Sequence, residues 1–135
     1  MHDLPRRLDA DQLARLFSGR TRLVEELARR EDPLSVAGEV AVALPDEDKV
    51  AALSTHPRIG ESSAEQHGDV PEELTALNRA YEVKFGFPFV VFVAGRSRSE
   101  LVPVLRERLE RTREEELATG LRELVAIARD RWTRT

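Results

Sequence analysis

Cysteine is absent from this chain of 135 residues. Its absence excludes thiolate nucleophiles, disulfides, iron–sulfur clusters and cysteine zinc sites, and it suits a reducing compartment. Any chemistry must therefore use histidine, carboxylate, hydroxyl or arginine groups. The sequence also lacks an apolar run near the roughly 20 residues of a membrane span, and its first residues lack the apolar core of a signal peptide. We expect a soluble, cytoplasmic protein that does not bind membranes.

An excess of basic residues is missing as well. The 21 basic and 25 acidic residues leave a formal net charge of −4, and opposite charges alternate, as in residues 106–108 and 110–111. Because no basic stripe forms, nucleic acid is not an expected partner, and these charges are interpreted as solvated helix faces. A hydrophobic share of 41% is typical of a globular protein. The length predicts a single domain over 1–135.

Helix start signals recur along the sequence. Capping boxes are predicted at 9–12 and 69–72, the start of a final helix at 112–115, a further helix at 46–54, and single caps at Thr21, Ser35 and Ser99. Pro103 is placed in a first helical turn, where its missing N–H is harmless. Residues 87–93 resemble a strand without a partner, so they predict a buried connector. The resulting fold class is all-α, a compact single-domain multi-helix bundle.

The stretch THPRIGESSAEQHG, residues 55–68, concentrates polar groups in one turn. His56 follows a helix and precedes a proline, and a histidine there can titrate near neutral pH or cap the C-terminus of that helix. Glu65 and Gln66 together offer a proton acceptor and a two-way hydrogen-bonding amide for a polar heterocycle. Alternatively, residues 62–65 form a capping box, in which Glu65 binds backbone.

Other chemistries fit the sequence less well. A metal site from His56, Glu65 and His67 matches no helical ligand spacing, so no metal is predicted. Ser62 lacks the strand-turn-helix elbow of a serine nucleophile. Four of the five phenylalanines lie between residues 85 and 92. We expect them to form part of the core, the wall of a pocket, or both. Three arginines near the chain's end are interpreted as partners of a helix C-terminus, namely Arg129, Arg131 and Arg134.

Several motifs in order along the chain resemble one family. They are THPRIG at 55–60, Ser-x-x-Glu-Gln at 62–66, Leu-Asn-x-x-Tyr-x-x-Lys-Phe-Gly-Phe-Pro-Phe-Val at 77–90, and Ile-Ala-x-x-Arg at 127–131. They resemble the 2-oxo-4-hydroxy-4-carboxy-5-ureidoimidazoline (OHCU) decarboxylases of urate breakdown. Here Gly60 and Glu61 join the first two motifs, where most relatives carry a longer helical segment, and residues 19–22 replace a Ser-Pro-Trp stretch.

The resemblance implies an all-α enzyme, usually a homodimer, that forms (S)-allantoin and carbon dioxide from an anionic ureidoimidazoline without a cofactor. It places the catalytic histidine at His56 and its acidic partner at Glu65. The implied substrate-binding positions are Pro57, Ser62, Gln66, the backbone of Phe89, Val90, Val91, Phe92 and Val93, and Arg131. Two alternatives stay open: a ureide-binding or interaction module of the same fold without turnover, and an enzyme acting on a related oxidised purine.

Overall fold

Seven helices and no strand are present in the part of the chain that the computed structural model describes, residues 7–56 and 72–134. They are α1 (Ala10–Leu16), α2 (Arg22–Leu27), α3 (Pro33–Ala43), α4 (Asp46–Ser54), α5 (Glu72–Phe85), α6 (Arg98–Leu109) and α7 (Arg113–Thr133). The all-α prediction is confirmed. Within those two ranges, no helix has both the length and the apolarity needed to cross a membrane.

The capping box predicted at 9–12 is present, and the helix start predicted at 112–115 is also a capping box. The Asp9 carboxylate accepts from the Gln12 N–H at 2.8 Å while the Gln12 amide accepts from the Asp9 N–H at 2.9 Å. Thr112 and Glu115 form the same reciprocal pair at the start of α7. Both satisfy N–H groups that a helix start leaves without an intrahelical partner. The other predicted box, at 69–72, has its capping residue outside the described residues.

Two predicted helix starts are wrong, and a third predicted cap does not form its hydrogen bond. Asp32, and not Ser35, precedes α3, since Pro33 takes the first helical position. Ser97, and not Ser99, caps α6, because Glu100 lies three residues after it and completes a capping box. Pro103 therefore lies inside α6 and leaves the Ser99 carbonyl without its i+4 donor. Thr21 precedes α2 as predicted, but its side chain makes no capping bond.

One hydrophobic core draws residues from all seven helices. The long α7 packs against α1, α3 and α4, while α2 contacts α1, α3 and α4, and α5 packs against α6. Aromatic rings fill the part of the core under α5: the Tyr81 ring lies 4.6, 6.0 and 5.3 Å from those of Phe85, Phe87 and Phe89. Most of the phenylalanine cluster is therefore core.

Residues 87–93 run without regular structure between α5 and α6, as predicted, and we call them the connector. Phe87, Phe89, Val90 and Val91 are buried, whereas Phe92 and Val93 are half-buried. The connector thus crosses the core and approaches the surface at its C-terminal end.

The prediction that residues 106–108 form a solvated face is wrong for Arg108. Its side chain is 6% exposed, and its Nε donates at 2.7 Å to Glu116, which is fully buried. The Glu116 carboxylate also accepts from the Tyr81 hydroxyl at 2.6 Å and from Arg111 at 3.2 Å. Arg108 Nη1 donates to the Val90 carbonyl at 2.8 Å. A buried ion pair therefore links α5, α6 and α7 to the connector.

Candidate functional site

His56 lies immediately beyond α4, whose C-cap is Thr55. Its backbone N–H donates to the Leu53 carbonyl at 3.2 Å, which closes the last turn, and its side chain is buried at 7% exposure. The imidazole is thus held at the end of a helix and largely withdrawn from water.

Helices α4 and α7 run side by side in matched register. At their N-terminal ends, Arg113 makes a bidentate ion pair with Asp46, with both N–O distances at 2.9 Å. Seven residues further on, Gly120 packs against Leu53, and a Cβ added to Gly120 would lie 3.2 Å from a Leu53 methyl.

Arg131 lies on the same face of α7, because residues 120, 124, 127 and 131 recur at helical spacing. Its Nη1 donates to the Leu16 carbonyl at 3.0 Å and to the Ser18 hydroxyl at 2.6 Å. Leu16 is the last residue of α1, so the guanidinium caps the C-terminus of that helix. The predicted contact with a helix C-terminus is correct for Arg131, although the helix is α1 and not its own.

The other two arginines near the end of the chain have different partners. Arg129 donates to the Leu34 carbonyl in the first turn of α3, at 2.9 and 2.6 Å from its two nitrogens. Arg134 pairs with Asp130 within α7 at 2.6 Å. The first contact ties α7 to α3, and the second is an exposed pair that contributes little.

A close backbone approach joins the ends of α1 and α4. A Cβ added to Gly19 would lie 3.0 Å from both Cβ and Cγ2 of Thr55, so only glycine fits without a shift. Gly19 follows the serine that binds Arg131, and Thr55 precedes His56. The turn that binds the Arg131 guanidinium and the helix end that carries His56 therefore meet at one corner of the protein, which we call the His–Arg corner, defined by Ser18, Gly19, Thr55, His56 and Arg131.

The connector reaches α7 through its backbone. The Phe92 N–H donates to the Glu123 carboxylate at 3.3 Å. On the other side, Arg96 donates to the Phe92 and Val93 carbonyls at 2.7 and 3.0 Å. The Val90 carbonyl is held by Arg108, so four backbone groups of the connector, from three of its residues, are fixed by charged side chains. This rigidity is what a backbone binding surface needs in order to discriminate among ligands.

The predicted site residues divide into two sets. His56, Arg131 and the connector residues 89–93 are described: His56 follows α4, Arg131 lies on α7, and the connector is tied to α7 by its Phe92 N–H and, through Arg108, by its Val90 carbonyl. The remaining predicted residues lie outside the described part of the chain: Pro57, Ser62, Glu65 and Gln66. Their assignment to the site remains a prediction.

Two residues of this region were missed from the sequence. Glu123 has a usable signal, because it lies three residues after Gly120 on the α7 face that carries Arg131. No sequence signal identifies Ser18. The neighbouring glycine is the residue expected to take the left-handed backbone conformation, yet Ser18 takes it, with φ at 65°. Both residues bind groups that the sequence assigned to the site.

Comparison with known proteins identifies the family of this chain. The family model of the OHCU decarboxylases matches residues 4–133. The 2-oxo-4-hydroxy-4-carboxy-5-ureidoimidazoline decarboxylase of Haloferax volcanii is 28% identical over 157 aligned positions, which cover 95% of this chain and 94% of that protein. Since 157 positions exceed the 135 residues of this chain, the relative has internal residues without a counterpart here.

Two Bacillus relatives are much longer. The uric acid degradation bifunctional protein PucL of Bacillus subtilis is 31% identical over 100 residues, and that of Bacillus sp. strain TB-90 is 28% identical over 105. These alignments cover 63% and 67% of this chain but only 20% and 21% of those proteins. The chain thus spans about a fifth of the length of both bifunctional relatives.

Two crystal structures share the fold. An OHCU decarboxylase in the presence of (S)-allantoin superposes with a TM-score of 0.77 at 24% identity, over 91% of this chain and 96% of that one. An (S)-allantoin synthase gives 0.70 at 22% identity, over 90% and 47%. With the family match over residues 4–133, the motifs from His56 to Arg131 and the shared helical fold, this chain belongs to the OHCU decarboxylase family, the carboxy-lyases of urate degradation.

Proposed function

We propose that this protein decarboxylates 2-oxo-4-hydroxy-4-carboxy-5-ureidoimidazoline to (S)-allantoin and carbon dioxide, without a cofactor. The observation that carries the proposal is the His–Arg corner, where the packing of Gly19 on Thr55 joins the turn that binds the Arg131 guanidinium to the helix end that carries the buried His56. The family match and the Haloferax relative, which aligns over nearly its whole length, supply the substrate class.

The substrate itself can accept the electrons of the breaking bond. Its carboxylate is attached to C4, one carbon from the ring C=N, so the pair from the C–C bond forms a C4=C5 double bond while the imine π pair moves to nitrogen. That nitrogen takes up a proton. The C4 hydroxyl then loses its proton to become the ring carbonyl, and C5 gains one on a single face. One proton is consumed overall, and no electron-accepting cofactor is needed.

The protein must bind the anion, align the scissile bond with the π system and direct the proton to one face. We assign the anion to Arg131, since a guanidinium binds carboxylates with defined geometry. His56 holds or deprotonates the C4 hydroxyl, and Glu65 is its acidic partner. The connector backbone, with Pro57, Ser62 and Gln66, positions the ureido and ring groups.

The activity assay supplies the substrate in situ from urate, urate oxidase and the hydrolase that acts on its first product. We expect the protein to speed allantoin formation and to give an excess of the (S) enantiomer, measured by circular dichroism at fixed times. The spontaneous reaction gives racemic product. Racemic allantoin formed at the background rate would refute the proposed function and favour the ureide-binding module.

His56→Asn tests the assigned histidine. Asparagine keeps a polar side chain of moderate size at this buried position, and we expect the rate to fall by about 10²- to 10⁴-fold, the usual contribution of general acid–base catalysis. Ser99→Ala, an exposed change in α6, is the matched control and should keep full activity. A rate for His56→Asn within twofold of that control would remove His56 from the mechanism.

We further propose that the protein acts in the cytoplasm as a homodimer. The family resemblance supports the dimer, and the absence of cysteine suits the compartment. Light scattering coupled to size-exclusion chromatography measures the mass directly, and the monomer is 15.3 kDa. A single species at that mass would contradict the dimer.

A further inference from the structure

We infer that Ser18 is a positioning residue for the Arg131 guanidinium, an inference that rests on the proposed role of Arg131 in binding the substrate anion. Two independent features of Ser18 support it: the conformation of its backbone and the partner of its hydroxyl.

The backbone of Ser18 is strained. Its φ of 65° lies in the left-handed region, which glycine adopts freely and a residue with a Cβ adopts at a cost. Gly19 follows directly, and a glycine would adopt the left-handed conformation without strain if it stood one residue earlier. Gly19 is instead placed against Thr55, where a Cβ would not fit. The turn after α1 therefore keeps a serine in the unfavourable conformation.

The hydroxyl of Ser18 offsets that cost. It accepts from Arg131 Nη1 at 2.6 Å, and the Leu16 carbonyl accepts from the same nitrogen at 3.0 Å. A primary guanidinium nitrogen carries two hydrogens, so both hydrogens of Nη1 are directed at chain atoms. The plane of the guanidinium is therefore fixed before an anion arrives. Strained residues of this kind concentrate at functional sites, where the strain maintains a required geometry.

Geometry also explains why the position matters for His56. Ser18 holds Arg131, Gly19 packs on Thr55, and Thr55 precedes His56. A single turn thus contacts both the Arg131 guanidinium and the residue that precedes His56. Losing the Ser18 hydroxyl should remove one of the two restraints on Arg131 Nη1 and leave α1 and α4 in place, because the Gly19–Thr55 packing is unchanged.

Ser18→Ala and Ser18→Gly separate positioning from stability. Both remove the hydroxyl, so we expect kcat/KM to fall about tenfold in each, mostly through KM, as for loss of one hydrogen bond to a charged group. Only glycine relieves the strain, so the Tm of Ser18→Gly should exceed that of Ser18→Ala by about 3–5 °C. Ala94→Gly, at φ 52°, is the control for strain relief, with Tm raised and KM unchanged.

Two results would overturn the inference. One is a KM within twofold of the parent protein in both variants. The other is a recovery of activity in Ser18→Gly that follows its higher Tm, since that would make Ser18 a purely structural residue.

A readout without substrate keeps this test separate from the proposed function. The guanidinium ¹H–¹⁵N resonances of Arg131, assigned with Arg131→Lys, should shift or broaden in both Ser18 variants, because the hydroxyl restrains rotation of the group. Unchanged resonances would refute the inference even in an active enzyme. If the parent protein fails to make (S)-allantoin, the proposed function fails, while these spectra still decide whether Ser18 orders Arg131.

Discussion

Replacing Glu116 with glutamine should destabilise the protein severely, although the change is nearly isosteric. Glu116 is fully buried and neutralises Arg108, which is only 6% exposed. The amide keeps one acceptor oxygen but removes the charge, so Arg108 becomes a buried cation without a counter-ion. Breaking such a pair from one side costs about 3–5 kcal/mol. The contribution of Arg111 is smaller, because its side chain is a third exposed.

That cost is large against the about 5–15 kcal/mol by which domains of this kind are stable. Urea unfolding, followed by far-UV circular dichroism and by the single tryptophan, Trp132, measures the free energy of unfolding. Tyr81→Phe leaves the ion pair intact and removes one hydrogen bond to a charged acceptor, so we expect it to cost less, about 1.5–3 kcal/mol.

Glu114→Gln provides the matched control, because Glu114 lies on the same turn of α7 but is exposed. Its free energy of unfolding should stay within about 0.5 kcal/mol of the parent value. If Glu116→Gln cost no more than this control, the buried ion pair would not stabilise the protein as argued, and the link from α7 to the Val90 carbonyl would lose its energetic basis.

Two further predictions concern packing and alkaline pH. Gly19→Ala should cost about 1–3 kcal/mol because the new Cβ meets Thr55 near its backbone. Gly120→Ala should be nearly neutral, because the crowding of the Leu53 side chain is offset by the roughly 1 kcal/mol that alanine gains over glycine inside a helix. Equal unfolding midpoints in urea for the two variants would contradict this. Burial, and then the hydrogen bond to Glu116, raises the pKa of Tyr81 above its ordinary 10.0. The stabilisation that the protonated Tyr81 hydroxyl contributes is therefore complete below pH 10 and is lost as the pH rises above it. Above pH 10, the free energy of unfolding of the parent should fall by about 1.4 kcal/mol per pH unit relative to that of Tyr81→Phe. If the free energies of unfolding of the two proteins changed in parallel with pH, the raised pKa of Tyr81 would be refuted.

Local signals account for what could be predicted of the helices. The boxes at Asp9 and Thr112 depend on a residue three positions away, so a single sequence contains all the information. The same rule, applied strictly, selects Ser97 over Ser99, because only Ser97 has Glu100 at the required distance. The error at Ser35 has a similar origin, since Pro33 already marks the first helical position. Both errors therefore concern local signals that are present in the sequence, Glu100 for Ser97 and Pro33 for the start of α3.

Arg108 was misassigned for a different reason. It belongs to a run of alternating charges, which favours a solvated face, yet it also follows Leu101 and Leu105 at helical spacing, which favours the core. The choice depends on Glu116 and Tyr81, and no local rule pairs residues of three different helices. The left-handed conformation of Ser18 has the same cause, because the contact between Gly19 and Thr55 decides which residue of the turn must be glycine.

One face of α7 carries the residues that bind Arg108, the connector and the end of α1. Residues 116, 120, 123, 127 and 131 recur at intervals of three or four, so all five point toward the helices and connector that α7 packs against. Two of them, Gly120 and Ile127, serve packing. The three polar members each bind a distant group: Glu116 the buried Arg108, Glu123 the Phe92 N–H, and Arg131 the end of α1. A charged residue on an otherwise apolar helix face is costly unless it is paired, so such residues on this face mark the places where the sequence fixes the site geometry.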